Sequence, residues 1–198
     1  MKRRPYPKDS SAEEPIYHFP LFSILTPSIE GSYSTPCVGQ ALESDTAKVN
    51  EILRIPEMRN IFPPSLRLLW TVRPYYNGLY ELIAIKVNSR DGRAPLDGEV
   101  IVDARAEEED RGWAISAVMT AEGAKHWAYL TADNIDKWIA IVLDDKVYFY
   151  AYVLSEITGG KISIPGSFTE SEAKEMALVL KSGMLPVPVR LVEEDSGR

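Results

Sequence analysis

The chain has 198 residues, with 22 Lys or Arg against 29 Asp or Glu, two His and one Cys. An apolar fraction of 45% suffices for a packed core and excludes global disorder. The lone Cys37 excludes an internal disulfide and a Cys-based zinc cluster. The longest apolar run, Val147 to Leu154, is far short of the about twenty residues a membrane helix needs, so no membrane segment is expected. Lys2, Arg3, Arg4 and Lys8 gather positive charge at the start and leave the rest strongly acidic, which repels phosphate backbones and argues against nucleic acid. Pro5, Pro7, Asp9, Glu13 and Glu14 stand where a signal peptide would be apolar, so no export signal is expected within the chain.

Residues 1–18 are Pro-rich and aperiodic and read as a tail or linker; Pro27 to Gly39 reads as loop. A helix is expected from an N-cap at Ser44–Asp45, with Val49, Ile52 and Leu53 on one face, ending near Pro56, and a short helix or turn follows at Glu57–Phe62. Leu66, Leu68, Trp70 and Val72 alternate, as do Leu79, Glu81, Ile83, Ile85 and Val87, with Asn77–Gly78 between them as a hairpin signal. Asp91–Gly92 and Asp97–Gly98 mark turns, and Val100, Val102 and Ala104 form a third strand. Four adjacent acids, Glu107, Glu108, Glu109 and Asp110, read as a solvated connector that Gly112 frees further.

Beyond the connector, Trp113–Met119 is a strand, Ala121–Asn134 a helix, and Trp138–Leu143 a strand that turns at Asp144–Asp145 into Val147–Leu154. Lys161–Ile164 is a short strand, Thr169–Ser182 a helix, and Val187–Val192 a closing strand. Thr169 and Glu172 fit a capping box, and Ala173, Met176, Ala177 and Leu180 recur at helical spacing. The order predicts an α+β fold whose second part is ferredoxin-like: a split βαβ unit, an antiparallel sheet with two helices on one face.

No constellation supports catalysis, a metal or a cofactor. His18 and His126 have no second His nearby, and Glu122 with His126 supplies only two ligands. Asp144–Asp145 suits a turn better than an acid/base pair, and Gly159–Gly160–Lys161 lacks the rest of a phosphate-binding loop. Cys37 has no adjacent base. Tyr148, Tyr150 and Tyr152 alternate along one strand face, either as cross-strand packing or as an amphipathic contact strip for another polypeptide.

Several segments together resemble the large periplasmic domain of the SecD and SecDF protein-export family. Ile139–Asp144 is similar to the family's "IAIVLDG", and Ile157–Gly160, Ile162–Gly166, Phe168–Thr169 and Glu172–Ala173 to "I.GG...I.G.FT..EA". Leu180–Pro188 follows "L..G.LP.P", and Pro95–Ala104 resembles "LTG..I.DA". Residues 19–87 look more loosely like the variable head of Bacteroidetes-type fusions. Within these motifs Gly159, Gly160 and Gly166 supply turns, Thr169 and Glu172 cap a helix, and Gly183 with Pro186 ends it. Asp136 and Asp145 stand where the family usually has Gly, a substitution that left-handed backbone partly tolerates in Asp.

The resemblance implies a head at 19–105, a hinge at 106–112, a ferredoxin-like base at 113–194 and a tail at 195–198. It implies a non-enzymatic accessory at the periplasmic face of the bacterial inner membrane. Such a protein holds unfolded preprotein beside the Sec translocon (SecYEG) while a proton gradient drives conformational cycling, its ion-coupling residues lying in membrane helices outside this chain. A stand-alone regulatory module binding a small ligand is the alternative, and a hydrolase using Asp144 or Asp133 a more distant one.

Overall fold

The structure is a computed structural model and describes residues 20–28, 35–87, 94–96, 98–110 and 112–182. It is α+β and divides into two compact units, Met1–Lys86 with Val142–Val147, and Val87–Ile141 with Tyr148–Arg198.

In the first unit β1 (Thr26–Pro27), β2 (Cys37–Leu42), β4 (Leu79–Lys86) and β3 (Leu66–Thr71) are neighbours in that order and antiparallel. The Pro/Ser/Gly-rich stretch expected as loop thus ends in a strand. Burial alternates along β2, with Cys37, Gly39 and Ala41 inward, a period-2 pattern that two small residues hide from a hydrophobicity reading. Helix α1 (Glu43–Arg54) begins one residue before the expected cap and has no side-chain cap bond. Its inward face carries Val49, Ile52 and Leu53, which meet Leu21, Leu25, Ala41, Trp70 and Leu82. The buried Trp70 keeps its indole N–H satisfied by donating to Asn50 Oδ1 at 2.9 Å. Pro56 opens the short α2 (Pro56–Arg59), where a missing N–H costs nothing. Between β3 and β4 the chain reverses through Asn77 (φ 48°) and Gly78 (φ 77°), the paired positive φ values a tight hairpin requires.

In the second unit β5 (Ile101–Glu109), β6 (Gly112–Met119) and β9 (Lys161–Phe168) form a three-stranded antiparallel sheet with β6 in the middle. Helix α3 (Ala121–Asp133) starts at Thr120, whose hydroxyl accepts the Gly123 N–H at 3.0 Å. Helix α4 (Glu170–Ser182) starts with reciprocal capping: the Thr169 N–H donates to Glu172 Oε2 at 2.7 Å, and the Glu172 N–H to Thr169 Oγ1 at 3.3 Å. Its buried Ala173, Met176 and Ala177 pack on Ile101, Ala104, Ile115, Ala117, Met119, Ile164 and Phe168, with Leu180 half-buried beside them. Near its end Lys181 Nζ pairs with Asp103 Oδ1 of β5 at 2.7 Å. In β9, Ile164 pairs with Ile115 and Phe168 with Trp113, so extra β9 residues bulge out. Pro165 and Gly166 lie in that bulge, where a strand tolerates a residue without an N–H.

One expectation is corrected here. The acidic run is not a connector: Glu107, Glu108 and Glu109 complete β5 and pair with Ala114, Trp113 and Gly112. Successive strand side chains point to opposite faces, and the partners carry no charge, so the acids are separated rather than forced apart. Asp110 sits in the hairpin turn and Gly112 opens β6, all inside the second unit, while the division between units falls at Lys86–Val87. The ferredoxin-like detail is not confirmed among the described residues. Strands β7 (Trp138–Leu143) and β8 (Lys146–Tyr152) belong instead to a six-stranded sheet of order β1-β2-β4-β3-β8-β7. A strand has two edges, and β5 and β9 occupy both edges of β6. The start of β8 pairs parallel with β3, Trp70 opposite Lys146 and Thr71 opposite Val147. The expected strand Val187–Val192, with Gly183 and Pro186, lies outside the described residues, as do the tails.

Gly160 (φ +67°) is buried, and a Cβ there would meet the Ala124 Cβ at 2.6 Å; Gly159 (φ +91°) has open space around it. Gly160→Ala should therefore lower unfolding free energy by about 2–3 kcal/mol and Gly159→Ala by about 1 kcal/mol in urea denaturation. Asp144 (φ 49°) and Asp145 (φ 57°) form the two-residue turn between β7 and β8. Since the exposed Arg67–Asp145 pair is only 3.7 Å close, Asp145→Gly should raise stability by about 0.5 kcal/mol through relief of left-handed strain.

Hydrogen bonds from Lys181 and then Arg105 hold the Asp103 carboxyl down to about 2, below its ordinary 3.8. A depressed carboxylate contributes stability above its unfolded pKa and loses it as pH falls towards the folded one. Wild type should exceed Asp103→Asn in thermal stability above about pH 4, with the gap closing between about pH 4 and pH 2.

Candidate functional site

The tyrosines of β8 have different neighbours. Tyr148 packs against the core of the second unit. Tyr150 and Tyr152 instead meet Trp138, with ring centroids 5.6 and 5.4 Å from the indole and interplanar angles of 61° and 71°. These are edge-to-face contacts, in which the positive ring edge meets the negative face of its neighbour.

Local chemistry sets this group in place. Helix α3 ends with Asn134, whose side-chain amide donates to the Leu130 carbonyl at 2.8 Å. Asp136 then takes the left-handed conformation (φ 61°), and the chain turns into β7. The Asp136 N–H donates to the Val153 carbonyl and the Val153 N–H to the Lys137 carbonyl, both at 2.9 Å. The Tyr152 hydroxyl donates to Asp136 Oδ1 at 3.4 Å. Partial desolvation, followed by the charge of Asp136, raises the Tyr152 phenol above its ordinary range and keeps it a donor.

Apolar surface continues around the rings. Tyr152 is 42% exposed and Leu154 81%, and Ile135 and Ile157 are also exposed. The segment after β8 is fastened to α3 by Thr131, a fully buried residue whose hydroxyl accepts the Ile157 N–H at 2.9 Å. The hydroxyl itself donates back to the helix carbonyls of Trp127 and Ala128. A rigid anchor thus holds an exposed apolar and aromatic shelf, a surface suited to generic contact with another chain. Trp138 and Asp136 were not legible as partners of the tyrosines, because cross-strand register decides which rings meet. The one available signal was the Trp a single residue beyond Lys137 at a strand start.

The other residues considered hold the fold rather than form a site. Glu122 and His126 are exposed on α3, and Asp144 and Asp145 make the hairpin turn. Among the described residues no group of three His, Cys, Asp or Glu could hold a metal ion. Cys37 is buried; its thiol accepts the Ser28 hydroxyl at 3.1 Å and donates to the Gly39 carbonyl at 3.4 Å, and burial pushes its pKa up. Gly160 accepts the Met119 N–H at its carbonyl, 2.7 Å away. No described helix is long and apolar enough to cross a membrane.

Comparison with known proteins gives a consistent family. The family model "SecDF, P1 head subdomain" matches residues 83–187, more than half of the chain. That span runs across the expected boundary at 106–112. The chain is 39% identical over 181 residues to the protein translocase subunit SecD of Rhodothermus marinus, covering 88% of this chain and 28% of that protein. It is 44% identical over 99 residues to the protein translocase subunit SecDF of Thermus thermophilus, covering 50% of this chain and 14% of the relative. The chain thus spans less than a third of the length of these relatives. A solved structure described as a membrane component SecDF that enhances protein export is 31% identical, covering 85% of this chain and 66% of the other, with a TM-score of 0.43. On the match across residues 83–187, the chain belongs to the SecD/SecDF protein-translocation family.

Proposed function

We propose that this chain is the periplasmic portion of a SecD/SecDF-type accessory protein that holds emerging preprotein during Sec-dependent, proton-gradient-assisted export. The shelf of Trp138, Tyr150 and Tyr152, with Leu154 beside it, is the surface that does the holding. The observation that carries this reading is an anchored aromatic cluster, with Tyr152 and Leu154 exposed and Trp138 and Tyr150 half-buried, within the stretch that matches the P1 head. Clients of an export system differ in sequence, so only contacts shared by all polypeptides can serve them. Aromatic rings bury much area at low conformational-entropy cost, and a hold that must be released calls for an affinity of about micromolar, near −8 kcal/mol. Coupling to a proton gradient needs ionisable groups in the membrane, which other parts of the full-length protein would supply.

The test is photo-crosslinking in the full-length protein with a preprotein arrested during export. A photoreactive residue at Tyr152 or Leu154 should capture preprotein several-fold more than one at Tyr129, which is 72% exposed on α3 and serves as a control for accessibility alone. Equal capture at all three positions, or none at Tyr152 and Leu154, would remove the shelf as the holding surface.

A further inference from the structure

We infer that the outer edge of β7, from Ile139 to Leu143, is a template on which an extended stretch of preprotein adds as a further strand. This rests on the holding role proposed above and names the form in which the client is held.

A contrast among the sheet edges is the first ground. An edge strand presents unpaired N–H and C=O groups, and folded proteins shield such edges with charge, proline, bulges or brevity. Among the described residues the two sheets end at β1, β5, β7 and β9. Strand β1 has two residues and ends in Pro27. Strand β5 carries Asp103, Arg105, Glu107, Glu108 and Glu109, and its register with β6 shifts after Ile101. Strand β9 begins with Lys161 and holds Pro165 in its bulge. Strand β7 has none of these devices: its six residues include no charge, no proline and no glycine.

Exposure is the second ground. All six residues of β7 are apolar, yet none is buried, and Val142 is 39% exposed. In β6, which has a strand on each side, four consecutive residues are buried. Among the described residues β8 is the one strand beside β7. Ile141, with Tyr148 and Phe149 of β8, packs against the core of the second unit, so the edge is set in place before anything binds. A template ordered beforehand lowers the cost of association.

The chemistry of the edge names its occupant. Only a chain in extended form can pair along a strand, and the pairing is made by its backbone. Preprotein in transit is unfolded, and the backbone is the one recognition element that all clients share. Proline alone is disfavoured, because it lacks the donor. A second copy of this chain would bring its own net charge of −7 against the first, which disfavours self-pairing. Trp138 opens β7 and also belongs to the aromatic cluster, so one client segment meets rings with its side chains and the edge with its backbone.

The test uses the 198-residue chain and two fluorescent peptides of alternating Val and Thr, alike except that one is N-methylated along its centre. Affinity is read by anisotropy and amide hydrogen exchange by NMR. The unmethylated peptide should bind about ten-fold more tightly than its N-methylated twin. At saturation it should slow exchange about ten-fold or more at amides between Ile139 and Leu143. Val142→Lys, which places a charge on the edge strand at an exposed position, should weaken that peptide about three- to ten-fold while melting like wild type. If the variant does not fold, the comparison of the two peptides decides alone.

Equal binding of the two peptides, or protection at another strand instead of β7, overturns edge pairing and leaves holding by side-chain contact intact. Slow exchange of every amide from Ile139 to Leu143 without peptide also overturns it. Protection lost on dilution then assigns the edge to a second copy, and protection that persists assigns it to another segment of this chain. Binding of neither peptide overturns both the edge and the holding role.

Discussion

Strand β6 is buried on both faces and hydrogen-bonded on both edges, and much of the second unit follows from that saturation. Ala114, Ile115, Ser116 and Ala117 are consecutive and all buried, so both faces are covered along this stretch, and only beyond it does Val118 reach water. Three of the four are small, which lets the covering layers approach closely. With β5 and β9 on its two sides, β6 can accept no further strand. Backbone N–H and C=O groups in a folded chain must still find partners. The apolar segment between α3 and β9 therefore becomes a separate hairpin, and its tip supplies a parallel neighbour to β3. The aromatic shelf exists because this hairpin is a separate element rather than a layer of the β6 sheet.

Two aspartates shape that hairpin at its ends. Asp136 sets the entry into β7, and Asp145 closes the turn into β8, both with positive φ. Glycine would adopt either conformation more easily, but it would bring no carboxylate. At Asp136 the side chain accepts the Tyr152 hydroxyl and places a charge next to three rings. At Asp145 it makes only a loose, exposed contact with Arg67. An aspartate in left-handed backbone thus acquires chemistry at one end and little at the other.

Local signals were the most legible in the sequence. The Thr169–Glu172 pair states a helix start because its bonds join residues three apart, and α4 begins there. The face of α1 was readable from Val49, Ile52 and Leu53 for the same reason. Strand existence was mostly readable as well, since alternation is intrinsic to each segment. Partner choice was not, because nothing in Trp138–Leu143 encodes whether β6 or β3 has a vacant edge. The acidic run misled for a related reason: four adjacent charges look repulsive in one dimension, yet the pleat of β5 sends them to alternate faces. The site shared this limit, because three tyrosines at period two suggest one strip, whereas packing sends Tyr148 to the core and brings Trp138 to the other two.

Cys37 carries a consequence of another kind. It is the only cysteine in the chain, held in β2 next to β1, a two-residue edge strand that ends in Pro27. Its thiol is enclosed by Ser28 and Gly39 and shifted away from the thiolate form. An alkylating reagent must wait for that edge to part before it reacts. The rate of modification, divided by that of an open peptide thiol, measures how often the edge is open. The molecule thus contains its own stopwatch for local breathing of the first unit, and no label need be engineered to read it.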